Sequence, residues 1–164
     1  MSSRRVVVAG GGAAGFFAAI TCAQTSPAAD ATLLEKGPQF LSKVRISGGG
    51  RCNVTHACFQ AREFAAHYPR GEQALISPFN AFQASDTVAW FEARGVKLKT
   101  EKDGRMFPTT DSSQTIIDCL LGEARAAGVK LILNRGVESV TKRPDGPFEL
   151  RLSDGETLDC DRLL

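Results

Sequence analysis

The sequence predicts an α/β domain of the Rossmann type carrying an antiparallel β-meander, and three observations support that prediction. A continuous apolar run, Arg5-Val6-Val7-Val8-Ala9, enters Gly10-Gly11-Gly12-Ala13-Ala14-Gly15. A second run, Ala31-Thr32-Leu33-Leu34, ends at Glu35, twenty positions after Gly15. Farther on, a helical pattern leads into a third apolar segment at Lys130 to Asn134, and three short strand-like segments with Asp-Gly turns follow.

Val6 to Ala9 reads as a buried parallel strand, which is apolar throughout because both faces are covered. Gly10 makes the tight turn out of it, and Gly12 lets the backbone approach a pyrophosphate with no Cβ in the way. Gly15 lets the next helix pack close to the sheet. That helix, from about Ala13 to Ala23, points its unpaired N–H groups and partial positive charge at the phosphates, which makes Ala13 and Ala14 cofactor-facing candidates. At the end of the second strand the Glu35 carboxylate accepts from both hydroxyls of an adenosine ribose and repels a 2′-phosphate, so NADP is a poor candidate here. Lys36 follows directly. The glycine motif alone also occurs for plain packing reasons; strand, helix, second strand and acid together make it a dinucleotide fingerprint, without choosing FAD over NAD.

Next comes Lys43-Val44-Arg45-Ile46-Ser47-Gly48-Gly49-Gly50-Arg51-Cys52-Asn53-Val54-Thr55-His56. Half of the sixteen glycines fall in the first fifty residues, three of them consecutive here. Such a run costs backbone entropy in an ordinary loop, so close approach to a ligand is its expected reason. Successive glycine N–H groups form an anion-binding concavity, and Arg51 adds a fork of donors for phosphate or a flavin carbonyl. A flexible surface loop is the plainer alternative.

Between this stretch and the third strand the pattern is mainly helical. Ala61 to Tyr68 is weakly so. Ser77-Pro78 reads as an N-cap with Pro at the first helical position, and Ser85-Asp86 as the cap of a helix running through Trp90 to Arg94 and ending at Gly95. Lys97 to Thr100 and Arg105 to Phe107 flank the hairpin signal Asp103-Gly104. From Asp111 or Ser112 a longer helix runs to Ala127, carries Ile116, Ile117, Leu120, Leu121 and Ala124 at helical spacing, and stops at Gly128. The meander spans Val137 to Lys142, Phe148 to Ser153 and Thr157 to Asp159, turning at Asp145-Gly146 and Asp154-Gly155. Val137, which opens it, completes the cofactor-facing candidates.

Composition excludes several classes. With 43% hydrophobic and 23% charged residues the chain is an ordinary globular one. Its net charge of +2 is spread without a basic block, so the footprint of a nucleic-acid binder is missing. The N-terminal apolar stretch is too short for a signal peptide or membrane anchor, which makes a cytoplasmic protein the default. Five cysteines with no C-x-x-C argue against a disulfide framework. Cys52, His56, Cys58 and His67 lack the pair spacing of a zinc site, so no metal is expected. Cys52 beside Arg51 is either a thiol of lowered pKa or, the favoured reading, a small space-filler. His67 is read as a surface residue, and Trp90, Phe91, Phe79 and Phe82 as core or a domain contact.

GGGAAG, the LLEK of Leu33 to Lys36 and ISGGGRCNVTH together resemble the HI0933-like flavoproteins (the BaiN/YhiN, aminoacetone oxidase-like group). Glu101-Lys102-Asp103-Gly104-Arg105-Met106-Phe107-Pro108, followed by Thr110 to Gln114, is a third matching segment. The resemblance covers most of the chain. It implies a two-dinucleotide-binding flavoprotein fold with FAD as cofactor, the ribose on Glu35, the pyrophosphate on Gly10 to Gly15, and Ser47, Gly48, Gly49, Gly50, Arg51, Cys52 and Asn53 along pyrophosphate and flavin, with Lys36 and Lys43 nearby. His56 stands where the family usually has Asn, and Leu41-Ser42 where Gly-Arg normally precedes the lysine.

On this basis the chain is expected to be the N-terminal portion of an FAD-binding domain: glycine-rich segments over 1–56, a helical excursion and hairpin over 57–110, and helix, third strand and meander over 111–164. Asp161-Arg162-Leu163-Leu164 reads as the beginning of a buried strand, cut short. The implied function is FAD-dependent hydride transfer between a small-molecule substrate or NAD(P)H and the flavin, with no nucleic-acid or membrane partner; the catalytic residues are unknown. A non-catalytic nucleotide-binding remnant and an FAD protein acting on tRNA are the alternatives.

Overall fold

The computed structural model describes residues 3–144 and 146–164. In chain order the elements are β1 (Arg4–Ala9), α1 (Ala13–Thr25), β2 (Ala29–Leu34), α2 (Ser42–Gly50), β3 (Thr55–His56), α3 (Ala61–Ala66), α4 (Glu72–Ala81), α5 (Ala84–Glu92), β4 (Leu98–Thr100) and β5 (Arg105–Pro108). They continue as α6 (Ser113–Ala126), β6 (Lys130–Ile132), β7 (Val137–Lys142), β8 (Phe148–Leu152), β9 (Thr157–Cys160) and β10 (Arg162–Leu163). The chain divides into two compact units, one built from residues up to Val44 and from Leu120 onward, the other from Arg45 to Cys119.

The first unit is Rossmann-like. Its sheet is parallel throughout, in the order β10-β1-β2-β6, the pattern of a mononucleotide-binding half with a fourth strand beyond the first. Val6, Val7 and Val8 are consecutively buried, as a strand covered on both faces requires, and each contributes about 1.5–3 kcal/mol by leaving water. α1 buries Phe16, Ala19 and Ile20, spaced on one helical face. The meander β7-β8-β9 is antiparallel, and its Leu150, Leu152 and Cys160 form one core cluster with Val7 and Leu34 of the parallel sheet. Its second turn is Asp154-Gly155, with Gly155 at φ +84°. Asp145, half of the first expected turn, lies outside the described residues.

The second unit holds a three-stranded antiparallel sheet, β3-β5-β4, and helices α3 to α5. β4 and β5 form the hairpin that Asp103-Gly104 announces, with Gly104 at φ +84°.

Several boundaries differ from the sequence reading. α4 starts at Glu72, after Gly71 in the left-handed region, and Pro78 sits inside it toward the end. The missing Pro78 N–H deprives only the carbonyl of Ala74, an exposed residue where water serves instead. α5 begins at Ala84, so Ser85 is not its cap; Gln83 is, because the Asp86 carboxylate reaches back to accept the Gln83 N–H at 2.8 Å. Gly95 does end that helix, at φ +77° with the Val96 N–H donating to the Phe91 carbonyl. α3 stops at Ala66, and β6 at Ile132, before Asn134 turns left-handed at φ +57°. β10 pairs with β1 but is not buried: as the outer strand of the four it leaves Arg162 exposed, and Leu164 beyond it is 61% exposed. Of the four aromatics, Phe79 packs against Phe64 and Tyr68, and Trp90 meets Phe91. No described helix is long and apolar enough to cross a membrane.

Candidate functional site

In the first unit the carboxyl ends of β1, β2 and β6 converge, the place where open α/β sheets bind ligands. Gly10 turns out of β1 at φ +117°, its N–H donating to the Leu34 carbonyl at 2.8 Å. At Gly15 an added Cβ would lie 1.9 Å from the Gly10 carbonyl oxygen, so the helix lies directly against the turn, as expected of this glycine. A Cβ on Gly12 would meet nothing within 4 Å. Gly12 is the N-cap of α1 with no side chain capping it, and Ala13 and Ala14 are exposed in the first turn. The free N-terminal amide groups of this turn therefore face an open approach suited to an anion.

Glu35 is tied to that loop. Its Oε2 accepts the Gly11 N–H at 2.8 Å and its Oε1 the Gly37 N–H at 2.7 Å. Each oxygen keeps a second lone pair for a ribose hydroxyl. Beside it opens a cavity of about 220 Å³ lined by Ala9, Gly10, Leu34, Glu35, Lys36, Arg135, Gly136 and Val137. The structure brings Gly10, Glu35, Lys36 and Val137 together around this cavity, and Lys43 lies exposed at the start of α2.

Sequence reasoning missed Arg135 and Gly136. They follow the third parallel strand, and the rule that ligands gather at carboxyl ends of strands would have flagged them. A Cβ on Gly136 would come within 2.9 Å of the Lys36 Cβ, so this glycine permits the close wall. Arg135 does not offer its charge to the cavity: it pairs with Asp154 at 2.5 Å and Glu156 at 2.7 Å. The backbone N–H of Glu156, with Arg135 adding to it against partial burial, holds the Asp154 carboxyl below the usual range.

In the second unit α2 breaks. Ser47 is extended at ψ 147°, and Gly48, Gly49 and Gly50 run left-handed at φ +57°, +68° and +85°. Glycine is needed twice over at Gly48, where a Cβ would fall 2.7 Å from the Phe107 ring and 2.9 Å from the Asn53 backbone nitrogen. A Cβ on Gly49 would meet nothing within 4 Å. Arg51 stacks on Phe107 at 4.0 Å and pairs with Glu101 at 2.5 Å and Asp111 at 3.6 Å. The Glu101 contact pushes the Arg51 pKa above its ordinary value. Its charge is therefore balanced inside this unit. Cys52 is buried at φ +63°, its N–H closing the loop onto the Ser47 carbonyl at 3.0 Å. Burial pushes its thiol up against a hydrogen bond with Ser47, the behaviour of a packing residue rather than an activated nucleophile. Asn53 is exposed.

His56 lies across the hairpin turn, its Nε2 3.0 Å from the Asp103 carbonyl, where a Cβ on Gly104 would come within 2.4 Å of the ring. The exposed His67 ring lies 5.5 Å from it. Among the described residues no three His, Cys, Asp or Glu side chains are grouped to hold a metal.

A sequence model of the HI0933-like protein Rossmann domain matches residues 4–164. The chain is 28% identical over 150 residues to a 3-dehydro-bile acid delta(4,6)-reductase of Clostridium scindens, covering 92% of this chain and 35% of that protein. It is 30% identical over 132 residues to a ribosomal RNA dihydrouridine synthase of Escherichia coli, covering 80% and 32%. The chain thus spans about a third of the length of these curated relatives. Among solved structures, Thermovibrio ammonificans THI4 superimposes with a TM-score of 0.61 at 14% identity, over 98% of this chain and 54% of that one.

Proposed function

Since the chain belongs to the HI0933-like family, matched over residues 4–164, we propose that it is the FAD-binding part of a flavin-dependent oxidoreductase. The observation that carries this reading is the open cradle at Gly12 beside the Glu35 carboxylate and its cavity. Those features fit an adenosine diphosphate moiety: N-terminal amides of α1 for the phosphates, Glu35 for the ribose hydroxyls, and Leu34, Gly136 and Val137 as an apolar wall for the base. FAD, when bound, supplies the hydride carrier of the reaction.

The chain's own residues bind and orient. Gly10 to Gly15 hold the phosphates, and Lys36 and Lys43 add positive charge near them. In the second unit, taken by itself, the left-handed backbone amides of Gly48 to Gly50 are better suited to an anion than the neutralised Arg51. That one curated relative is named a reductase supports hydride transfer between a small-molecule substrate or NAD(P)H and the flavin. Five free thiols favour a reducing, cytoplasmic setting.

A second reading, an RNA substrate, is favoured by the similarity to the ribosomal RNA enzyme. The absence of a basic block in a chain of net charge +2 weighs against it. The visible spectrum of the purified chain, recorded after adding FAD and removing the excess, tests the first reading. A retained flavin band is expected; a colourless chain that binds NAD instead overturns it.

A further inference from the structure

Leu41 combines two properties that seldom coincide. It is 1% exposed, a large side chain fully inside the first unit, and its backbone is left-handed at φ +58°. An L-residue with a branched side chain adopts that conformation only where its surroundings impose it. What the conformation achieves is visible in one hydrogen bond: the Leu41 N–H donates to the Gly11 carbonyl at 2.8 Å. Gly11 is held from two further sides. Its N–H is given to Glu35, and the space a Cβ would take is filled by the Phe40 ring at 2.5 Å. Phe40 is itself braced edge-on by Phe16, with ring centroids 5.5 Å apart.

In a trans peptide the C=O and N–H lie in one plane and point in opposite directions. Tying the Gly11 carbonyl inward to Leu41 therefore turns the N–H of the next residue, Gly12, the other way. Gly12 is the exposed N-cap whose Cβ position is empty.

We propose that Leu41 is a positioning residue for nucleotide binding: its left-handed backbone fixes the Gly11–Gly12 peptide so that the Gly12 N–H is presented to a phosphate. This rests on the nucleotide reading above. Leu41 contacts no ligand itself, and its side chain and its backbone have separable roles, burial for stability and φ for binding.

That separation supplies the test, with ADP as probe in calorimetric titrations of the whole chain and thermal melts of each variant. Leu41→Gly keeps the left-handed φ and loses the buried side chain. It should melt well below wild type yet bind ADP within about threefold of it. Leu41→Val keeps most of the apolar bulk but resists positive φ. It should bind ADP about tenfold or more weakly while melting above the glycine variant. Affinities that follow the melting order, or two variants that both bind like wild type, overturn the proposal. If Leu41→Val does not fold, amide hydrogen exchange in the wild type decides. The Leu41 N–H should exchange more slowly at saturating ADP, and an unchanged rate overturns the proposal. Wild type that binds neither ADP nor FAD overturns the nucleotide reading and this inference with it, an outcome the variants are not needed to recognise.

Discussion

Gly12 and Gly15 make opposite predictions from the same chemical change. A methyl group at Gly12, extended at φ −87°, meets nothing within 4 Å, so Gly12→Ala should melt like wild type and lose FAD affinity as the methyl occupies the phosphate approach. A methyl at Gly15 lands 1.9 Å from the Gly10 carbonyl oxygen, so Gly15→Ala should lose about 3 kcal/mol or more of stability in a denaturant titration. Glu35→Ala removes the ribose acceptor and should weaken FAD binding by about 1.5–3 kcal/mol. It also orphans the Gly11 and Gly37 N–H groups, so a modest fall in melting temperature should accompany the loss. Unchanged affinity would place Glu35 off the ribose. The packing role of Gly15 was legible because it demands a missing Cβ. Leu41 was visible only as a departure, standing where the family normally has Gly, and its left-handed backbone at φ +58° is what such a position requires.

At the scale of elements the β4–β5 hairpin links structure to pH. The Asp103 carboxyl is held below the usual range by the Arg105 backbone N–H, and the Asp111 carboxyl by its hydrogen bond to Lys99, each against partial burial. Asp154 behaves alike in the meander turn. A folded pKa below the unfolded value, about 3.9 for aspartate, adds stability that is present above that value and lost as pH falls through the folded one. Thermal melts should therefore hold level near neutrality and drop below about pH 4. Asp111→Asn should flatten the acid decline; an unaltered acid limb would show that the Lys99 pair contributes nothing. Hairpin, α6 and meander could be read from Asp-Gly turns and helical spacing. The start of α4 could not, because Pro78 satisfies the rule for a first-turn proline while Gly71, seven residues earlier, supplies the actual turn.

For the whole molecule, fold class and family were legible because fingerprint, second strand and acid are local and their spacing is set by strand and helix lengths. The division into units was not: it cuts within α2 and α6, and helical spacing carries no sign of where packing partners change. Thiol chemistry offers a check on packing in both units. Cys52 and Cys160 are buried with thiols pushed up by that burial, whereas Cys22, Cys58 and Cys119 are half-buried. Under native conditions an alkylating reagent should modify the latter three first and reach Cys52 and Cys160 only on unfolding, as mass mapping would record.

If the chain binds FAD as proposed, the open cradle of the first unit holds its diphosphate. Equilibrium titration of FAD into wild type and Gly12→Ala, with melts of both, tests it most directly. Wild type should bind saturably, and Gly12→Ala, at equal stability, at least about tenfold more weakly. Equal binding by both, or none by a folded wild type, would contradict it.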